Sequence, residues 1–146
     1  CNCGKTGCLE TVASATGIVR IAMEDIENHQ SSSLYRTYKE QNELTSRDIF
    51  EAAQSNDDYA VEVVERVTFH LGLAIGNLSN SLNPSKVVIG GGVSKAGEAL
   101  LTPLKSQFEK FALPRVKEGS DFAIATLGND AGVIGGAWLV KTKLMK

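Results

Sequence analysis

All three cysteines of the chain, Cys1, Cys3 and Cys8, fall within its first eight positions. Thiolates so close together can converge on one metal ion, and Gly4 and Gly7 between them let the backbone turn tightly enough to aim them. A closed structural zinc site takes four ligands, so this cluster is one short. His29 and His70 lie on different expected elements, so a histidine upstream of Cys1 is a better candidate for the fourth ligand than either of them. The bland alternative is three free thiols, to which a chain lacking one ligand is prone. The run starts without an initiator Met, as expected of a piece of a longer protein.

Glu10 follows two residues after Cys8 at the expected start of a helix. A carboxylate there is favoured by the helix dipole; it can equally be a ligand contact held in place by the metal loop. Further on, Gly90, Gly91 and Gly92 follow the β-branched run Val87-Val88-Ile89. Such a turn suits close approach of nucleotide phosphates and also serves as a plain strand-to-helix turn. It lacks the Lys-Ser/Thr of a Walker A loop and the spacing of a dinucleotide fingerprint. Gly128-Asn129-Asp130 has the same look, with simple capping as its first reading.

The elements that must hold these groups read as follows. Val12, Ala15, Val19, Ala22 and Ile26 give one apolar stripe and predict a helix from Leu9 to about Glu27. Residues 28–45 are polar and predict a solvated surface loop, with a short lid-like segment as the alternative. Thr45 or Ser46 caps a short helix through Ala53. Asn56-Asp57-Asp58 opens a long helix to Leu82, ended by Asn83-Pro84, and Gly72 and Gly76 offer another backbone a close approach. Lys86–Ile89 reads as a buried strand. A helix from Ala96 to Phe111 follows, capped by Ser94 and disturbed by Pro103. Phe122–Thr126 reads as a second strand and Ala131–Leu144 as a final helix, with Trp138 expected in the core. Strands separated by helices predict an α/β fold whose sheet is incomplete within this chain.

Composition narrows the function classes. The net charge is −2, with 42% hydrophobic and 22% charged residues, so no global pull toward nucleic acid or anionic membrane is expected. No run reaches the roughly 20 apolar residues of a membrane span. Clustered, odd-numbered cysteines predict a reducing cytoplasm rather than a disulfide framework.

Taken together, Cys1-Asn2-Cys3-Gly4-Lys5-Thr6-Gly7-Cys8-Leu9-Glu10 resembles the zinc signature C-x-C-G-x-x-G-C-x-E of the ROK family of sugar kinases and repressors. Leu82-Asn83-Pro84 leading to Val87–Ser94 resembles that family's adenosine-side segment, and Leu127–Ala137 its closing segment. The resemblance spans nearly the whole chain and is nearest the bacterial glucokinase branch. It implies the C-terminal lobe of the actin-like ATPase (ribonuclease H-like) fold over residues 1–146, helix-rich, with a zinc loop at 1–10, a nucleotide-side α/β part at 84–146 and the N-terminal lobe absent. It implies structural zinc on Cys1, Cys3 and Cys8, sugar hydroxyls on Glu10, and the nucleotide at Gly90, Gly91 and Gly92, with Gly91 and Gly92 the nearer contacts. Mg-ATP and a hexose would be the substrates of the whole protein, a cytoplasmic homodimer or larger assembly with no membrane partner. The Gly72/Gly76 helix or its neighbours would offer a dimer surface.

The family's D-x-G-G-T phosphate loop and catalytic Asp have no counterpart in this sequence, so no catalytic residue is expected here. The alternative implied by the same resemblance is a sugar-responsive repressor whose DNA-binding domain lies elsewhere; only then would nucleic acid be a partner.

Overall fold

Ser14 decides how the chain begins. The computed structural model describes residues 1–144. In it the first expected helix is two: α1 (Glu10–Ala13) and α2 (Ala15–Asp25). Between them Ser14 takes extended backbone, and its hydroxyl caps α2 by accepting the Gly17 amide at 3.0 Å. An apolar stripe does not register such a break, because capping is local hydrogen bonding rather than periodicity.

The polar stretch expected as a loop contains a helix, α3 (Ser33–Gln41), with Leu34 buried beneath it. Ser32 is its cap, accepting the Leu34 amide, and Asn42 ends it in the left-handed conformation. Helix α4 (Ser46–Gln54) opens on a capping box: Thr45 accepts from the Asp48 amide, and Asp48 accepts from the Thr45 amide at 2.7 Å. Helix α5 (Asp58–Leu82) is the longest element, capped by Asp57 and stopped at Asn83.

Strand β1 (Lys86–Ile89) pairs in parallel with β2 (Asp121–Ile124), Lys86 opposite Asp121 and Ile89 opposite Ile124. Helices α6 (Glu98–Phe111) and α7 (Pro114–Gly119) connect them. Pro103 lies inside α6 without ending it. Ser94 does not cap α6: its hydroxyl donates back to the Gly91 carbonyl at 2.7 Å, and Gly97, at φ +58°, precedes the helix instead. Val88 is 58% exposed, so β1 is not the buried strand expected; among the described residues the sheet has two strands and one uncovered face.

Helix α5 is the spine. Its glycine face is filled by α6, where Gly72 meets Gln107 and Phe108, and Gly76 meets Phe111. That face is therefore consumed inside the chain and is not a dimer surface. Helices α1, α2 and α4 cover its other sides around Ile18, Ile21, Ile49, Val63 and Val67. Asn80 ties the far end of α6 to α5: its side-chain amide donates to the Phe111 carbonyl and accepts from the Leu113 amide.

The last helix, α8 (Ala131–Leu144), packs chiefly on the turn before it. Trp138 is 63% exposed rather than in the core. From Ala131 to Val140 the helix carries no charged residue. A helix apolar on every side has no single face to bury against one neighbour.

Candidate functional site

The tight start of the chain is built by its glycines. Gly4 and Gly7 hold φ +75° and +74°, and the Gly4 amide closes a turn on the Cys1 carbonyl at 3.2 Å. The result is convergence. Cys1 Sγ lies 2.8 Å from Cys3 Sγ, Cys3 Sγ lies 3.4 Å from Cys8 Sγ, and all three are within 4.8 Å of one another. Sulfurs on a tetrahedral zinc are about 3.8 Å apart, from Zn–S bonds of about 2.3 Å. Opening the cluster by about 1 Å or less between neighbours would seat an ion, so the three thiols fit zinc in type and spacing and stand one ligand short of a closed site. The Lys5 backbone amide, with the Cys8 thiol beside it, holds the Cys3 thiol below its ordinary pKa. Neither histidine belongs to this cluster among the described residues. His29 stacks on Tyr59 at 3.8 Å, and His70 lines a separate cavity behind Cys8.

Glu10 is the first residue of α1 and is exposed. It borders a cavity of about 510 Å³ together with Cys1, Cys3, Thr16, Gly17 and Arg20. The sequence expectation brought Glu10 and the thiol loop to one place, and the structure has them on one wall. Gly17, a glycine inside the expected first helix, reads in the sequence as a place for close packing; its place beside Glu10, and that of Arg20, depend on how α2 crosses α1.

The three glycines after β1 do different things. Gly91 holds φ +82°, a conformation that favours glycine, and makes the turn. Gly90 packs toward Ala125, since a Cβ there would stand 3.5 Å from its methyl. Gly92 faces open space and lines a cavity of about 670 Å³. The opposite wall is α4, through Arg47, Phe50, Glu51 and Gln54, with Lys95 at the rim. Nothing in the sequence marks this wall. Arg47, Glu51 and Gln54 sit at i, i+4 and i+7, a spacing that any solvated helix face shares. Arg47 pairs with Glu51 at 2.6 Å across that face.

Because β1 and β2 are parallel, both glycine turns emerge at the same end of the sheet, and the two turns touch. The crevice outside the carboxyl ends of parallel strands is where α/β proteins bind ligands. Thiol loop and glycine turn thus open onto separate cavities with no lining residue in common.

Helices over an incomplete parallel sheet, with a metal-type thiol loop at one end and a glycine turn at the carboxyl edge, define a lobe of the actin-like ATPase fold. The sequence profile of the ROK family matches residues 1–143, and the chain belongs to that family. A glucokinase of Halalkalibacterium halodurans is 62% identical over 141 residues, 97% of this chain and 43% of the relative. The DNA-binding transcriptional repressor Mlc of Escherichia coli is 31% identical, again over 97% of this chain but 33% of its own length. A solved structure of a ROK family glucokinase from Streptomyces griseus, in complex with glucose and AMPPNP, has a TM-score of 0.80 at 29% identity over 95% of this chain and 46% of that one. The chain therefore spans less than half the length of these relatives.

Proposed function

We propose that this chain is the C-terminal lobe of an ATP-dependent hexose kinase, a glucokinase that converts ATP and D-glucose to ADP and glucose 6-phosphate. The observation that carries the reading is the pairing of two cavities on one α-helical spine, one walled by Glu10 and the thiol loop, the other by Gly92 and α4. The 62% identity to a glucokinase, against 31% to a repressor, favours a substrate rather than an effector role for the sugar.

Glu10 accepts hydrogen bonds from sugar hydroxyls, a charge-assisted contact about twice as strong as a neutral one. Cys1, Cys3 and Cys8 would hold zinc, which would cross-link the loop that leads into Glu10. Only Leu9 lies between Cys8 and α1, so fixing the thiols fixes where the carboxylate starts. On the other side, the Gly91–Gly92 turn leaves room for the phosphates of Mg-ATP. The 670 Å³ cavity accommodates the nucleoside, with the polar face of α4 beside it. Phosphoryl transfer rests on positioning and on stabilising charge around the transferring group. This lobe supplies binding to both substrates. The base that takes the sugar hydroxyl proton belongs to the other lobe, and a histidine upstream of Cys1 completes the zinc site. A cytoplasmic homodimer is the setting this reading implies.

The test is a coupled assay of glucose-dependent ADP formation. The full-length protein is expected to be active, and its Glu10→Gln variant to have a glucose KM raised about 10- to 100-fold, as loss of one charged sugar contact implies. The isolated chain is expected to be inactive. Turnover by the isolated chain, or none by the full-length protein, would overturn the reading.

A further inference from the structure

Three contacts converge on the short backbone segment that carries Glu10. Helix α2 crosses α1 at Gly17, which is buried. A Cβ at Gly17 would stand 2.7 Å from the Thr11 carbonyl carbon and oxygen and 2.8 Å from the Glu10 carbonyl oxygen. These neighbours are backbone, so no rotamer change relieves the clash. One turn along α2, Arg20 Nη2 donates to the Thr11 carbonyl at 2.6 Å. That oxygen belongs to the last carbonyls of a helix, which have no partner within it. Arg20 is itself held: its Nη1 donates to Glu24 at 2.6 Å, and Glu24 bonds Arg66 of α5 at 3.0 Å. From the other side the Thr11 hydroxyl donates to the Cys8 carbonyl at 2.7 Å, joining the thiol loop to the same residue.

A helix as short as α1, Glu10–Ala13, has no stability of its own. Its place is set by what grips it. We infer that Gly17 and Arg20 are the positioning residues of Glu10: Gly17 sets how deeply α1 seats on α2, and Arg20 fixes it there through the Thr11 carbonyl. This rests on the reading of Glu10 as the sugar-binding carboxylate. Neither residue touches the sugar; both act through the carboxylate that does.

A double-mutant cycle in the full-length protein tests it. Gly17→Ala and Arg20→Met are each expected to raise the glucose KM about tenfold or more, since a displacement of about 1 Å can cost 100-fold. The ATP KM and the zinc-to-protein ratio stay unchanged, and Arg20→Lys, which keeps a donor for Thr11, recovers part of the loss. In a Glu10→Gln background neither substitution adds further loss, the mark of action through Glu10. Equal losses in both backgrounds would overturn the inference, as would wild-type glucose KM in both variants. If Glu10→Gln weakens glucose binding while Gly17→Ala and Arg20→Met do not, the positioning role alone fails. If Glu10→Gln is silent, the sugar-site reading fails and takes the inference with it. Should Gly17→Ala not fold, Arg20→Met, on an exposed side chain, decides the matter alone.

Discussion

Asp57 holds Ser33 twice: its Oδ2 accepts the Ser33 amide at 2.6 Å and the Ser33 hydroxyl at 2.8 Å. Its Oδ1 caps α5 through the Ala60 amide at 3.0 Å, and the Ser32 hydroxyl donates to both oxygens. One carboxylate therefore pins the first turns of α3 and α5 together. Partial burial pushes its pKa up, but the amides and hydroxyls outweigh that and hold it below the ordinary value. A depressed folded-state pKa gives stability that is full above the unfolded value of about 3.9 and lost as pH falls through the folded one. Asp57→Ala is expected to cost about 1–3 kcal/mol at pH 7, from the lost cap and the stranded donors. Urea midpoints at pH 7 and below pH 3 check it, the gap between wild type and variant narrowing as the carboxylate protonates.

At Gly72 two effects oppose each other. Alanine in mid-helix is intrinsically better than glycine by about 1 kcal/mol. Its Cβ would stand 2.7 Å from Gln107 Cβ and 2.9 Å from the Phe108 nitrogen, forcing α6 away from α5. Overpacking of this kind costs about 1–3 kcal/mol, so Gly72→Ala is expected to lower stability. Thermal melting measures it; an unchanged or raised Tm would show that α6 shifts freely.

Cys3 sits between the other two thiols, 2.8 Å from one and 3.4 Å from the other. Cys3→Ser in the full-length protein is expected to lower bound zinc from about one per chain to well below half, because a hydroxyl is a poor zinc ligand. Elemental analysis beside thiol titration reads this directly. A glucose KM raised in parallel would tie the loop to the sugar side.

Gly92 offers a clean probe of the second cavity. A Cβ there meets nothing within 4 Å, so Gly92→Ala fits the fold and places its methyl at the cavity. The expected result is an ATP KM raised about tenfold or more with the glucose KM unchanged. Gly91→Ala makes a useful contrast: at φ +82° it strains the turn itself, and lower stability should accompany any kinetic change.

How far the sequence foretold these features depends on the kind of force involved. Elements fixed by periodicity or local capping were legible: α5 opening on its Asn56-Asp57-Asp58 cluster, α4 on Thr45 or Ser46, the existence of both strands, and a close backbone approach at Gly72 and Gly76, although not that α6 makes it. The convergence of Cys1, Cys3 and Cys8 was legible because three thiols and two glycines in eight residues leave the backbone few other courses. Features that depend on long-range packing were not. Helix α3 reads as polar loop because only Leu34 and half of two tyrosines reach the core. Trp138 reads as a core residue because large aromatics are highly buried on average, yet among the described residues α8 packs chiefly on the turn before it. The cavity wall on α4 escaped because Arg47, Glu51 and Gln54 gain meaning only when Gly92 stands opposite.

The Gly72/Gly76 contact also bears on motion. Backbones packed that closely resist sliding past each other, which makes α5 and α6 a stiff pair. Helix α1, carrying Glu10, rests on α5, and the turn after Gly91 rests on α6. The spacing between carboxylate and glycine turn is therefore built in, like two fixed jaws machined into the same block. When such a block closes on anything, both jaws travel together and arrive together.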